Sequence, residues 1–273
     1  MEYIKIIFSD LVQDQKDRLI ALLAEAGMDG FEEGHSYLVA YREAWVFNEK
    51  EIMDIATSLA LPFEKEIIPE TNWNTEWEKN FEPVQVEEFC IIRAEFHLPV
   101  KDVVHDIIIT PKMSFGTGHH ATTYMMIQWM REIDCRNKSV LDFGTGTGIL
   151  AILAEKLRAQ KVLAIDSDQW SIENAAENIM INNCSVIQLQ KSDFVDFNEK
   201  FDIILANINK NVLIKGMLQL RQHLEKGGVL VISGLLIGDR EDIIEEADRN
   251  SLVFSGESQK DGWISIQLKP LSK

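Results

Sequence analysis

The chain has 273 residues with 27 basic and 44 acidic side chains, a formal net charge of -17. That length allows one sizeable core plus a smaller module, and the charge argues against non-specific binding to nucleic acid or an anionic membrane while favouring a basic partner. Cys90, Cys135 and Cys184 show no metal-ligand spacing or even pairing, and of the histidines only His119 and His120 adjoin, so reduced thiols, no metal and a cytoplasmic setting are expected.

The first residues, MEYIKIIFSD, lack the basic and long apolar regions of a signal peptide. Tyr3 to Phe8 instead alternates like a strand, and Leu11 to Ala26 carries apolar residues at helical spacing up to Gly27. GFEEGH reads as a turn before a short strand from Ser36 to Tyr41. Glu49 to Leu61 reads as a helix closed by Pro62, and Phe63 to Ile68 as a further strand. The order β-α-β-(β)-α-β is close to a split βαβ module. Residues 1–70 hold 15 acidic and 6 basic side chains, a net of -9, which suits either a solvated acidic face or a docking module for a basic macromolecule.

NWNTEWEKNF places Trp73 and Trp77 four apart, on one face of a linker helix expected over 71–84, where they either pack the linker or form a contact surface. Phe89 to Phe96 and Asp106 to Ile109 are rich in β-branched and aromatic residues, as in a pair of strands. PKMSFGTGHHATT follows, a Gly/Thr-rich loop with Gly116 and Gly118 that leads into a helix from Thr122 to Ile133. Thr122 and Thr123 suit the helix start, and the loop is a candidate lid.

The chain is organised around Lys138 to Asp168, KSVLDFGTGTGILAILAEKLRAQKVLAIDSD. A short apolar run, three alternating glycines (Gly144, Gly146, Gly148) and an amphipathic segment read as strand, tight turn and helix. A second apolar run ends in Asp166, where a carboxylate at the carboxyl edge of a parallel sheet can bind ribose hydroxyls. The spacing GxGxG is neither the dinucleotide GxGxxG nor a P-loop. Asp142 adds negative charge where a phosphate would lie, which favours a ligand carrying an amino group or sulfonium, such as S-adenosylmethionine. A Gly-rich turn of another parallel-sheet protein is the alternative.

Trp170 to Ile181 then reads as a helix with an Asn-rich tail, Val186 to Leu189 as a strand with Asp193 beyond it, and Phe201 to Leu205 as the next strand, running into Asn207. The Asn207 amide either faces an incoming amine in the crevice or caps the following helix from Asn211. Gly227-Gly228 reads as a turn before a strand from Val229 to Ser233, and the apolar stretch Gly228 to Gly238 is too short to span a bilayer. A helix from Gly238 to Ala247 and a hairpin over Asp261-Gly262 complete a mixed seven-stranded α/β sheet.

With WNTEWEKNFEPV (73–84), FGTGHHATT (115–123), LDFGTGTGILAI (141–152), IDSD (165–168), ILANI (204–208) and SGLL (233–236) in order, the chain resembles the bacterial ribosomal protein L11 methyltransferases, a family of class I S-adenosylmethionine-dependent methyltransferases. The resemblance implies a Rossmann-like catalytic domain over 85–273, a linker helix over 71–84 and a ferredoxin-like, substrate-recognising domain over 1–70. It also implies methyl transfer to lysine side-chain and N-terminal amines of L11. Thr123, Gly144, Asp166 and Asn207 match the family's cofactor contacts. Asp142, Gly146, Gly148 and Asp193 join them by position, Asn207 is the expected catalytic residue, and Phe115, Gly116, Thr117, Gly118 and His119 form the expected loop. His119-His120-Ala121 and Asn209-Lys210-Asn211 depart from the usual pattern. Transfer to another protein or to a small-molecule amine or amide, and a non-catalytic nucleoside- and protein-binding module, are the alternatives.

Overall fold

The computed structural model describes residues 3–68, 81–110, 118–193 and 199–271. They belong to two compact units, residues 1–80 and 81–273. In the first, β1 (Tyr3–Phe8), α1 (Gln13–Glu25), β2 (Gly30–Glu33), β3 (Leu38–Glu43), α2 (Glu49–Leu59) and β4 (Glu64–Ile68) form an antiparallel sheet of order β2-β3-β1-β4, the ferredoxin-like arrangement. Alternation along β1 sends Ile4, Ile6 and Phe8 into a core with Leu19 and Leu23 of α1 and Ile52 and Ala56 of α2.

One expectation is corrected here. GFEEGH is a turn only at its end: Gly30 to Glu33 is β2, paired with Tyr41 to Leu38, and the bend falls at His35-Ser36. An edge strand packs little, so its polar composition hid it.

The linker is corrected at its end. Residues 69–80, with Trp73 and Trp77, lie outside the described residues, and 81–83 is not helical. Val84 begins β5 (Val84–Val86), which joins β6 (Cys90–Ala94) and β7 (His105–Ile109) in a three-stranded sheet of the second unit. Phe81 is buried in that unit's core.

The main sheet of the second unit runs β10-β9-β8-β11-β12-β14-β13. Its strands are β8 (Ser139–Phe143), β9 (Lys161–Asp166), β10 (Ile187–Lys191), β11 (Phe201–Asn207), β12 (Leu224–Leu236), β13 (Leu252–Lys260) and β14 (Trp263–Pro270). β10, β9, β8, β11 and β12 pair in parallel, and β14 is antiparallel to both β12 and β13. This is the class I methyltransferase sheet. α3 (Ala121–Glu132), α4 (Ile149–Lys156) and α5 (Gln169–Ile181) precede α6 (Lys210–Gln222) and α7 (Arg240–Arg249). Two apolar clusters fill the unit, one around α4 and β6 and one around Leu213, Met217 and β14. No helix among the described residues is long and apolar enough to cross a membrane.

Gly227-Gly228 is likewise not a separate turn but part of β12. The pairing jumps from Phe201↔Leu224 to Ile203↔Val229, a wide bulge opposite Asp202. A Cβ on Gly228 would lie 2.8 Å from the Asp202 carbonyl oxygen.

The strand order reverses between β8 and β11, and the crevice at their carboxyl ends is where such sheets bind ligands.

Candidate active site

At that switch point lies a cavity of about 470 Å³. One side is the glycine turn after β8. Gly144, Gly146 and Gly148 all have positive φ, between 54° and 83°, a region a side chain would strain. The turn is held by hydrogen bonds from three directions. The Gly146 N–H donates to Asp166 Oδ2 at 2.9 Å, Thr145 Oγ1 donates to Asp142 Oδ2 at 2.6 Å, and the Thr147 carbonyl accepts from Asn178 Nδ2 at 2.8 Å. Asn178 Oδ1 also accepts the Thr110 N–H at 2.8 Å, so the Asn-rich tail of α5 ties the turn to the segment after β7.

Gly144, Gly146, Asp166, Asp193 and Asn207 all line the cavity. Gly148 does not. It caps the start of α4 with a φ of 83°, and a Cβ there would make only an ordinary contact with Ala175. Asp142 does not line it either. It is fully buried beneath the turn, where Oδ2 also accepts the Ala151 N–H at 3.2 Å and Oδ1 has no partner. Burial pushes its carboxyl up to about 7.

Thr123, fully inside α3, faces a small recess beside the turn that it shares with Gly144, Thr147 and Asn207. Its hydroxyl accepts from Asn207 Nδ2 at 3.3 Å, and this leaves Asn207 Oδ1 buried without a partner. The cap of α6 is Asn209, whose Oδ1 accepts the Val212 N–H at 3.2 Å. Asn207 is therefore not the capping residue. Lys210, in the segment that departs from the family pattern, bridges Asp239 at 2.9 Å and Asp242 at 2.6 Å.

Of the expected loop, Phe115, Gly116 and Thr117 lie outside the described residues. Gly118 is buried, and a Cβ there would strike Ile92 Cδ1 at 2.6 Å. His119 is exposed and meets the Phe81 ring edge-on at 4.9 Å.

Among the cavity residues outside the expected site are His120, Gly234 and Trp263. His120 caps α3, with Nδ1 accepting the Thr122 N–H and lying 2.7 Å from Thr122 Oγ1. Its ring meets Trp263 at 4.5 Å and 70°. Gly234 has a φ of 86°, and a Cβ there would lie 2.3 Å from the Ile208 carbonyl oxygen, while one on Gly144 would lie 2.2 Å from Ile208 Cγ2. Two glycines thus clamp Ile208, the residue after Asn207. The glycine in SGLL and the tryptophan just after Asp261-Gly262 were the available signals, but only the sheet topology brings them to the crevice.

Among the described residues no group of histidines, cysteines and carboxylates is placed to hold a metal ion. What the site offers is a backbone cradle, carboxylates on one side and an unsatisfied amide oxygen on the other. The residues fit S-adenosylmethionine, the cofactor that the class I fold implies. The cradle tolerates no side chains, and two orphaned carbonyl-type oxygens, on Asp142 and Asn207, lie beside it.

The model of the family described as ribosomal protein L11 methyltransferase (PrmA) matches residues 30–270. The chain is 39% identical to a ribosomal protein L11 methyltransferase of Porphyromonas gingivalis, over 93% of this chain and 90% of that protein. It is 37% identical to one of Bacteroides thetaiotaomicron, over 98% and 99%. The crystal structure of a ribosomal protein L11 methylase from Lactobacillus delbrueckii subsp. bulgaricus superposes with a TM-score of 0.66 at 30% identity, covering 70% of this chain and 99% of that one. A methyltransferase from Pyrococcus furiosus, at 20% identity and a TM-score of 0.51, shares the fold. With the family model spanning most of its length and these relatives matching nearly end to end, the chain belongs to the ribosomal protein L11 methyltransferase family.

Proposed function

We propose that this protein transfers methyl groups from S-adenosylmethionine to lysine side-chain and N-terminal amines of ribosomal protein L11 in the cytoplasm. The observation that carries this reading is Asn207, whose buried amide oxygen ends β11 at the switch point without a partner. In this reading Gly144 and Gly146 admit the methionyl part, Thr123 holds its polar end, Asp142 braces the turn from beneath, Asp166 takes the ribose hydroxyls and Asp193 the adenine amino group. When bound, the cofactor supplies an electrophilic methyl on sulfonium, with a neutral thioether as leaving group.

The chain's own task is to receive the amine uncharged and aligned. A lysine amine titrates at about 10.4 and an α-amine at about 8 in water. Entry into a partly apolar cavity lowers both, because desolvation penalises the charged form. The amine nitrogen then donates to Asn207 Oδ1, which points its lone pair along a fixed direction. The neutral nitrogen held by Asn207 would be the group that takes the methyl, and the proton it then sheds would leave to solvent.

The first unit supports a basic protein as acceptor. On the sheet face away from the helices, Tyr3, Lys5 and Tyr41 stand among Glu32, Glu43, Glu64 and Glu66. Glu32 accepts from Tyr41 Oη at 3.0 Å and Glu66 from Lys5 Nζ at 3.0 Å. Four carboxylates against one lysine complement a Lys/Arg-rich surface and raise its encounter rate.

The test is incubation of the full chain with labelled S-adenosylmethionine and purified L11, followed by mass spectrometry of the peptides. Label on lysine or N-terminal amines is the expected result. Label on no amine, or only on a glutamine amide, overturns the reading.

A further inference from the structure

We propose that Lys210, held by Asp239 and Asp242, is a positioning residue: it staples the segment that carries Asn207 to the segment that follows β12, and so fixes where the Asn207 amide oxygen meets the acceptor amine. This deepens the proposed function and rests on it.

β11 and β12 run parallel and end at the same edge of the sheet, where Asn207 stands opposite Ser233 as the last pair of the ladder. The Ile208 N–H still donates to the Ser233 carbonyl at 3.2 Å. Beyond that bond the two segments part, one entering α6 at Lys210 and the other entering α7 through a single 3-10 turn, Ile237–Asp239. The ladder therefore stops just where the chain begins to line the cavity with Ile208 and Asn209.

Lys210 spans the gap. Its Nζ lies 2.9 Å from Asp239 Oδ1 and 2.6 Å from Asp242 Oδ2, so the first residue of α6 grips the start of α7. Asn209 and Val212 line the cavity and Lys210 does not, because its side chain runs to α7 instead. Asn209 Oδ1 accepts the Val212 N–H and closes the turn between them. Asn207 is thus held on one side by β11 and on the other by a capped and stapled helix start.

The placement of these charges serves the bridge rather than either helix. A cation in the first turn of a helix faces the positive end of its dipole, which is unfavourable. Asp239 is the N-cap of α7, yet its side chain bonds no N–H of that helix. Its Oδ2 accepts the Leu236 N–H at 2.9 Å, at the end of β12, and its Oδ1 accepts from Lys210. So α6 carries a misplaced cation and α7 forgoes a side-chain cap, and the connection between them is what results. The bonds to Asp242 and Asp239 raise the Lys210 ammonium above its usual range, and Lys210 in turn holds the Asp239 carboxyl below its own. That pair stays ionised around neutral pH.

Asn207 needs outside support of this kind. Its amide makes one long bond, from Nδ2 to Thr123 Oγ1 at 3.3 Å, and its Oδ1 is buried without a partner. Its place is inherited from the backbone on either side. A small displacement of a group that aligns reactants is costly to turnover, whereas part-exposed ion pairs add little to global stability. The staple matters more to alignment than to folding.

The experiment compares wild type with Lys210→Met, Lys210→Arg, Asp239→Asn and Asp242→Asn. Lys210→Met keeps the aliphatic stem and loses the charge. Its kcat on the amine acceptor is expected to fall on the order of 10-fold, while acceptor KM and the calorimetric cofactor affinity change less than about 2-fold. Its thermal unfolding should stay within about 3 °C of wild type. Lys210→Arg should restore most of the turnover. Asp239→Asn should resemble Lys210→Met more than Asp242→Asn does, because the Asp239 side chain is 21% exposed and that of Asp242 is 62% exposed. Hydrogen exchange on the unliganded chain supplies a readout free of catalysis: the Ile208 and Leu236 N–H groups should exchange faster in Lys210→Met than in wild type.

Lys138→Met is the control, since it breaks a comparable pair with Asp202 at the opposite edge of the sheet and should keep its kcat. An unchanged kcat or unchanged exchange in Lys210→Met overturns the inference. So does a cofactor affinity that falls as far as kcat, a Lys210→Arg no better than Lys210→Met, or an equal loss of kcat in Lys138→Met. Should Lys210→Met not fold, Asp242→Asn decides: a kcat lower by about 2-fold or more with unchanged cofactor affinity supports the staple, and an unchanged kcat overturns it. If wild type methylates no amine, the proposed function falls and takes this inference with it; if wild type methylates and the variants match it, only this inference falls.

Discussion

The two sides of the cavity are built differently. On the side of β8, β9 and β10, the cradle is backbone, and its bonding groups are mutually engaged: Asp166 holds the Gly146 and Asp168 N–H groups and Asn178 holds the Thr147 carbonyl. On the side of β11, β12 and β14, the surface is side chain, and the Asn207 oxygen is left unsatisfied. A side that must bind one constant cofactor can be rigid and self-satisfied. In the proposed function the other side receives an amine, aligns it and releases it, and it keeps bonding capacity in reserve.

The sharpest way to break this contrast is Asn207→Ala. Loss of the aligned acceptor oxygen should lower kcat by about 100-fold with little change in cofactor affinity, since misplacement of a reacting group costs that much. Calorimetry and single-turnover rates on the same preparation check it, and a normal turnover would erase the distinction between the two sides.

Asp166→Ala should do the reverse. It removes charge-assisted hydrogen bonds of roughly 1.5 to 3 kcal/mol, so cofactor affinity should fall by about 10-fold or more. An unchanged dissociation constant in a calorimetric titration would remove Asp166 from the ribose site.

Asn178→Leu probes what makes the cofactor side rigid. The Thr147 carbonyl and the Thr110 N–H would each lose a buried partner, at about 1 to 3 kcal/mol for a stranded group. Denaturant unfolding should show that loss, and cofactor affinity should weaken with it. Asn182→Ala is the control. It breaks contacts with Ile108, not with the turn, and should leave affinity in place.

The smallest effect concerns Asp142. Its carboxyl is raised to about 7 by burial, so between about pH 4 and pH 7 the folded state binds a proton that the unfolded state has released. Stability therefore falls as pH rises through that window and levels off above it. Asp142→Asn can accept the same hydrogen bonds without the charge. It should unfold at a higher temperature than wild type at pH 8, by about 2 to 4 °C for each 1 kcal/mol gained in a unit of this size. The gain should shrink toward pH 4, as differential scanning calorimetry at several pH values would show.

The cofactor side was largely legible in the sequence, because GxGxG after an apolar run and an acidic strand end are local signals. The seven-stranded sheet was legible for the same reason, through alternating apolar runs and helical periods. What escaped depends on contacts distant in the chain. Trp263 and Asn207 are far apart in sequence, and they line one cavity only because their strands flank β12. The edge strand β2 escaped because a strand with little to bury has no apolar alternation to display. Asp142 has the place of a ligand contact in the motif, but its carboxyl is buried beneath the turn on Thr145 and Ala151, which no spacing reveals.

Ile208 deserves a last consequence. Gly144 leaves room for its Cγ2 and Gly234 for its carbonyl, so the residue lines the cavity in a position that two missing side chains make possible. Trimming it to alanine would enlarge that cavity beside Gly144, and an engineered form could then hand over chains longer than one carbon. The gauge of what this enzyme transfers would rest on a single branched residue.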